Sequence, residues 1–128
     1  MKLADAAGEI YSGLLDITRE GGPGNFMVVS VGEVYVQFAG SPGNPQVQCE
    51  SISNEYLPTK FKIKKPAIAK LKSLGFVLGG DEFKNFSRTY DVTTEEQARE
   101  LAETTTRILQ EVYCIAKDAA VQIELSLE

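Results

Sequence analysis

Between Phe26 and Phe38 apolar side chains recur at every second position on either side of Gly32-Glu33, and no other stretch constrains the fold as much. Met27, Val29 and Val31 alternate with Val28 and Ser30, then Val34, Val36 and Phe38 alternate with Tyr35 and Gln37. A period of two belongs to a strand, and two residues with glycine first make a tight hairpin turn. Such a turn sets 31 opposite 34, 29 opposite 36 and 27 opposite 38, which gathers all six apolar residues on one face. The other face then carries Tyr35 and Gln37, which a core has no use for.

The rest of the chain supplies what that hairpin packs against. Leu3, Ala7, Ile10, Leu14 and Ile17 form an apolar stripe on a first helix of about fifteen residues, ended by Gly21-Gly22-Pro23-Gly24. This glycine cluster lacks the lysine and hydroxyl of a phosphate-cradling loop. After a loop from Gly40 to Pro45, a third strand from about Gln46 to Ile52 directs Val47 and Cys49 inward and Gln48 and Glu50 outward. Pro66 opens a short helix with Ile68, Leu71 and Leu74, closed by Gly75. Phe76 to Leu78 and Phe83 to Tyr90 predict a second hairpin around Gly79-Gly80-Asp81. Thr93 and Glu96 have capping-box spacing. The helix they open carries Ala98, Leu101, Thr105, Ile108, Val112, Ile115 and Ala119 on one stripe, to about residue 119. Val121 to Leu127 alternates as a final short strand. The expectation is one α+β domain over 1–128, an antiparallel sheet with helices on one face in the order α-β-β-β-α-β-β-α.

The residue types along the same chain limit its chemistry. It contains no histidine, which removes the commonest general base and metal ligand. Cys49 and Cys114 are flanked by core-type residues and read as two buried thiols, neither a disulfide nor a metal site. The pairs Glu95 with Glu96, Asp81 with Glu82 and Glu100 with Glu103 fall on caps, turns or exposed helical faces, where helix chemistry accounts for them. No catalytic residue, metal or cofactor is therefore expected. Asn85-Phe86-Ser87 matches a glycosylation sequon, discounted because no secretory signal precedes it. No apolar run is long enough for a bilayer, so the expected location is cytoplasmic, with no membrane partner.

Charge adds a further exclusion. The net charge of −5 argues against a general nucleic-acid binder. Six of the thirteen basic residues nevertheless lie at Lys60, Lys62, Lys64, Lys65, Lys70 and Lys72, while residues 91–128 hold nine acids and three bases. The first expectation for the cluster is a solvated lysine face that keeps the protein soluble; the second is that the two halves attract each other, within or between subunits.

Tyr35-Val36-Gln37-Phe38-Ala39, the Ser53-Asn54-Glu55-Tyr56-Leu57 exit from the third strand and the Leu74-Gly75-Phe76 joint, in this element order, resemble the type III secretion chaperone and YbjN superfamily, more narrowly its TY-Chap peptide-binding domains. The resemblance covers about residues 5–119. It departs in the lysine-rich Lys60 to Lys65 stretch and in Phe76, where a tryptophan is expected. It implies a dimeric, non-enzymatic protein that holds a segment of a client polypeptide. The surface expected to do so comprises Tyr35, Gln37, Gln48 and Glu50, with Asn54 and Tyr56 at its edge. The alternatives are an oligomeric scaffold or regulatory subunit and, behind it, a nucleic-acid or acidic-lipid binder acting through Lys60 to Lys72.

Overall fold

A computed structural model describes residues 1–79 and 84–128. A 3-10 turn, Leu3–Asp5, leads into α1 (Ala7–Arg19), followed by β1 (Asn25–Val31), β2 (Val34–Ser41) and β3 (Asn44–Ser51). A second 3-10 turn, Thr59–Phe61, precedes α2 (Lys65–Ser73), β4 (Val77–Leu78), β5 (Phe86–Asp91), α3 (Glu95–Glu111) and β6 (Gln122–Ser126). The fold is the expected α+β class, with an antiparallel sheet ordered β4-β5-β3-β2-β1-β6. Among the described residues no helix is long and apolar enough to cross a membrane.

The first hairpin takes the counted register, 27 on 38, 29 on 36 and 31 on 34. Gly32 supplies the positive φ of 58° that its turn requires. Met27, Val29, Val34, Val36 and Phe38 are buried, and Val31, beside the turn, is half-buried. Ile10, Leu14 and Ile17 of α1 pack on this face together with Ala98, Leu101, Ile108 and Leu109 of α3. A Cβ at position 13 would collide with Met27 Sδ, so Gly13 is what lets α1 lie close to β1.

Several expectations are corrected. The α-helix begins after Ala6, and Ala6 rather than Ala7 is fully buried. The chain before it is tied down instead, with Leu3 N donating to Ala119 O (3.0 Å) and Ala4 N to Lys117 O (2.9 Å). Strand β3 starts at Asn44, because Ser41 pairs with Asn44 across a tight Pro42-Gly43 turn where a longer loop was expected. The capping box lies one residue later, at Thr94 and Gln97, where each side chain bonds the other's backbone. Helix α3 ends at Glu111, not near 119: the ring of Tyr113 turns into the core, where its hydroxyl donates to Ile52 O (2.6 Å) and pairs with Ser51 Oγ (2.6 Å). Cys114 follows with φ 57° and is exposed, contrary to the expected buried thiol. In the second hairpin, Phe76 precedes β4 and Gly80, Asp81 and Phe83 lie outside the described residues. The closing strand forms as β6, and it joins the sheet beside β1.

Candidate functional site

Alternation along paired strands carries the first hairpin's outer face across the sheet. Gln37 stands opposite Val28 on one side and Glu50 on the other, and Glu50 stands opposite Ser87. One row along, Ala39 faces Phe26 and Gln48, and Gln48 faces Thr89. The structure thus brings Tyr35, Gln37, Gln48 and Glu50 together on a single surface of half-buried and exposed side chains.

Polar atoms on this surface bond sideways to one another. Gln37 Nε2 donates to Glu50 Oε2 (3.2 Å), and Thr89 Oγ1 donates to Gln48 Oε1 (2.8 Å). The Tyr35 hydroxyl accepts from Asn85 Nδ2 (2.8 Å), and Asn85 Oδ1 accepts from the Ser53 amide (3.1 Å). With those groups paired in the plane of the sheet, the apolar parts of the face are left outward, Phe26 44% exposed near one end and Val77 63% exposed at the other. Phe26 lies two residues before Val28 at strand spacing, whereas Val77 joins this face only through the pairing of β3 with β5 and of β5 with β4. Asn85, of the discounted sequon, is a buried clamp between β2 and the β3 exit.

Asn54 and Tyr56 leave the sheet. Asn54 binds the backbone of Ile63 with both amide atoms, accepting from Ile63 N (2.8 Å) and donating to Ile63 O (2.9 Å). Tyr56 stands half exposed on the turn that follows. A groove of about 650 Å³ beside Asn54 runs between Ile68 and Lys72 of α2 and Leu78 and Phe86 of the second hairpin. A second, of about 610 Å³, lies where the lysine-rich segment meets α2 and the end of α3.

Burial, reinforced by the charge of Glu50, pushes the Cys49 thiol well above its ordinary value, so it is held protonated and unreactive. Among the described residues no group of acidic or cysteine side chains is arranged to hold a metal ion.

No curated protein and no solved structure matches the chain. A family model described as "T3SS (YopN, CesT) and YbjN peptide-binding chaperone 3" matches residues 2–125, from the first 3-10 turn into β6. The chain belongs to this TY-Chap3 family of peptide-binding chaperones.

Proposed function

We propose that this protein is a non-enzymatic chaperone that holds an extended segment of a client polypeptide against the open face of its sheet. Tyr35, Gln37, Gln48 and Glu50 are the contacts, and Asn54 and Tyr56 shape the edge where the chain turns off β3. The observation that carries this reading is the sideways pairing of Gln37 with Glu50 and Gln48 with Thr89. It satisfies polar groups within the sheet and leaves Phe26, Val28 and the Tyr35 ring as flat apolar ground for another chain. We take the working form to be a homodimer, and the free thiols Cys49 and Cys114 suit a reducing compartment such as the cytoplasm.

The test is a double change, Tyr35→Ser with Gln37→Ala, followed by three measurements: thermal unfolding, mass in solution, and binding of a permanently unfolded, alkylated model polypeptide. We expect affinity to fall about tenfold or more, with mass and melting temperature little changed. Undiminished affinity would overturn the reading. Dissociation to monomers would assign the face to self-association.

A further inference from the structure

Asn54 holds the backbone of Ile63 from one side, and the neighbouring residues are extended, with φ −60° and ψ 135° at Lys62 and φ −93° and ψ 171° at Lys64. In extended backbone the groups of successive residues point to opposite sides. The Lys62 carbonyl and the Lys64 amide therefore point away from Asn54, and neither finds a hydrogen-bond partner among the described residues. A carbonyl and an amide spaced this way are the two groups that one residue of a parallel neighbouring strand engages. The segment is a short docking edge, kept straight by Asn54.

The groove along this segment is apolar below and basic above. Its floor is made by Ile63, Ala67, Val112 and Tyr113, with Phe61 41% exposed at the rim. Its charged lining is Lys60, Lys62, Lys64 and Lys70 against one acid, Glu111. That acid is already neutralised: Lys70 Nζ lies 2.5 Å from Glu111 Oε1 and Arg107 Nε 3.2 Å from Oε2. The bond from Lys70, and after it that from Arg107, holds the Glu111 carboxyl below its ordinary value. Lys60, Lys62 and Lys64 have no ion-pair partner among the described residues, and Lys60 Nζ sits 5.0 Å from the Phe61 ring centre.

We infer that this groove binds an extended polypeptide segment in which an apolar residue is flanked by aspartate or glutamate. The apolar side chain seats on Ile63, Ala67 and Val112, the segment's backbone takes the Lys62 carbonyl and Lys64 amide, and its carboxylates meet the three unpaired lysines. A phosphate backbone fits less well, because it offers the floor no apolar anchor and meets a protein of net charge −5. This inference rests on the reading that the protein holds extended polypeptides, and it names the chemistry of the segment held.

The experiment is a fluorescence-anisotropy titration with two labelled peptides of the same length, a leucine flanked by acidic residues and the same peptide with those acids replaced by their amides. The proteins are the wild type, the triple variant Lys60→Glu, Lys62→Glu, Lys64→Glu, and Lys117→Glu, which lies away from the groove. The acidic peptide should bind wild type and Lys117→Glu alike, at least about tenfold tighter than its amide form, and lose that margin in the triple variant and in about 0.5 M salt. Equal binding of the two peptides, or of the acidic peptide to wild type and triple variant, would overturn the inference while leaving the polypeptide-holding reading in place. Failure to bind either peptide overturns this inference, while the polypeptide-holding reading is decided separately by the binding of the alkylated model polypeptide. Tighter binding of a single-stranded oligonucleotide, or of vesicles rich in anionic lipid, abolished by the same triple change, would overturn it in favour of that ligand. Ala67→Gln, which fills the floor with a neutral polar group and removes no lysine, should weaken the acidic peptide as well, so a misfolded triple variant does not leave the question open.

Discussion

Among single residues, Tyr113 ties together two parts of the chain far apart in sequence. Its hydroxyl joins the end of α3 to Ser51 and Ile52 at the β3 exit, 62 and 61 residues away. Desolvation pushes its pKa well up, and the bond with Ser51 only partly offsets this. The folded state thus keeps a proton that the unfolded chain gives up near its ordinary value of about 10. A folded pKa above the unfolded one contributes stability that is complete below about pH 10 and lost as pH rises beyond it. Tyr113→Phe should cost about 1–3 kcal/mol at neutral pH, because the Ile52 carbonyl and Ser51 hydroxyl lose their partner. The gap between the two proteins, measured by denaturant unfolding from neutral pH to about pH 11, should narrow above about pH 10. Tyr90, also raised by burial, is present in both proteins and cancels from the comparison, whereas Cys49, which is coupled to Tyr113, adds to the difference.

At the level of elements, the start of α3 separates a spacing from a bond. Both Thr93 with Glu96 and Thr94 with Gln97 stand three apart, and only the second pair closes. Gln97 N donates to Thr94 Oγ1 (3.1 Å), and Gln97 Oε1 accepts from the Thr94 amide (3.2 Å) and also from the Thr93 amide (2.7 Å). Thr94→Ala should therefore cost about 0.5–2 kcal/mol in thermal unfolding. Thr93→Ala, which removes an exposed side chain and keeps its amide, should stay within about 0.5 kcal/mol of wild type. An equal loss from both would place the cap elsewhere. The helix stripe itself was legible from Ala98 to Ile108, all buried except for the polar turns between them. Val112 and Ile115 continue that spacing after the helix has ended, because a turn that folds back on α3 can keep apolar residues on the same side.

For the whole molecule, the sheet ends decide what remains to be covered. Strand β6 pairs with β1 on one side, and on the other its backbone has no partner strand among the described residues. Leu125 and Leu127 there are 40% and 39% exposed. Two-fold association is the commonest way to bury such surface in a chain of this size. Sedimentation equilibrium at about tens of micromolar should give twice the 14.0 kDa chain mass, and a monomer at that concentration would remove the dimer from the proposed function. Between the basic and acidic parts of the chain one ion pair forms among the described residues, Lys70 of α2 with Glu111 of α3.

What the sequence determined by itself was everything carried by a period: the Met27 to Phe38 register, the inward Val47 and Cys49, the α1 stripe and the grouping of Tyr35, Gln37, Gln48 and Glu50 on one face. Periodicity is local and each strand or helix reports its own buried side, so these follow without knowing the partner. Only the tertiary structure decided where α3 stops, that Cys114 is exposed, that Asn54 serves Ile63 and Asn85 serves Tyr35, and that Lys60 to Lys64 border a groove. Each of those depends on a polar side chain meeting a backbone or hydroxyl group brought to it by the packed sheet, and a pattern along the chain holds no record of such meetings.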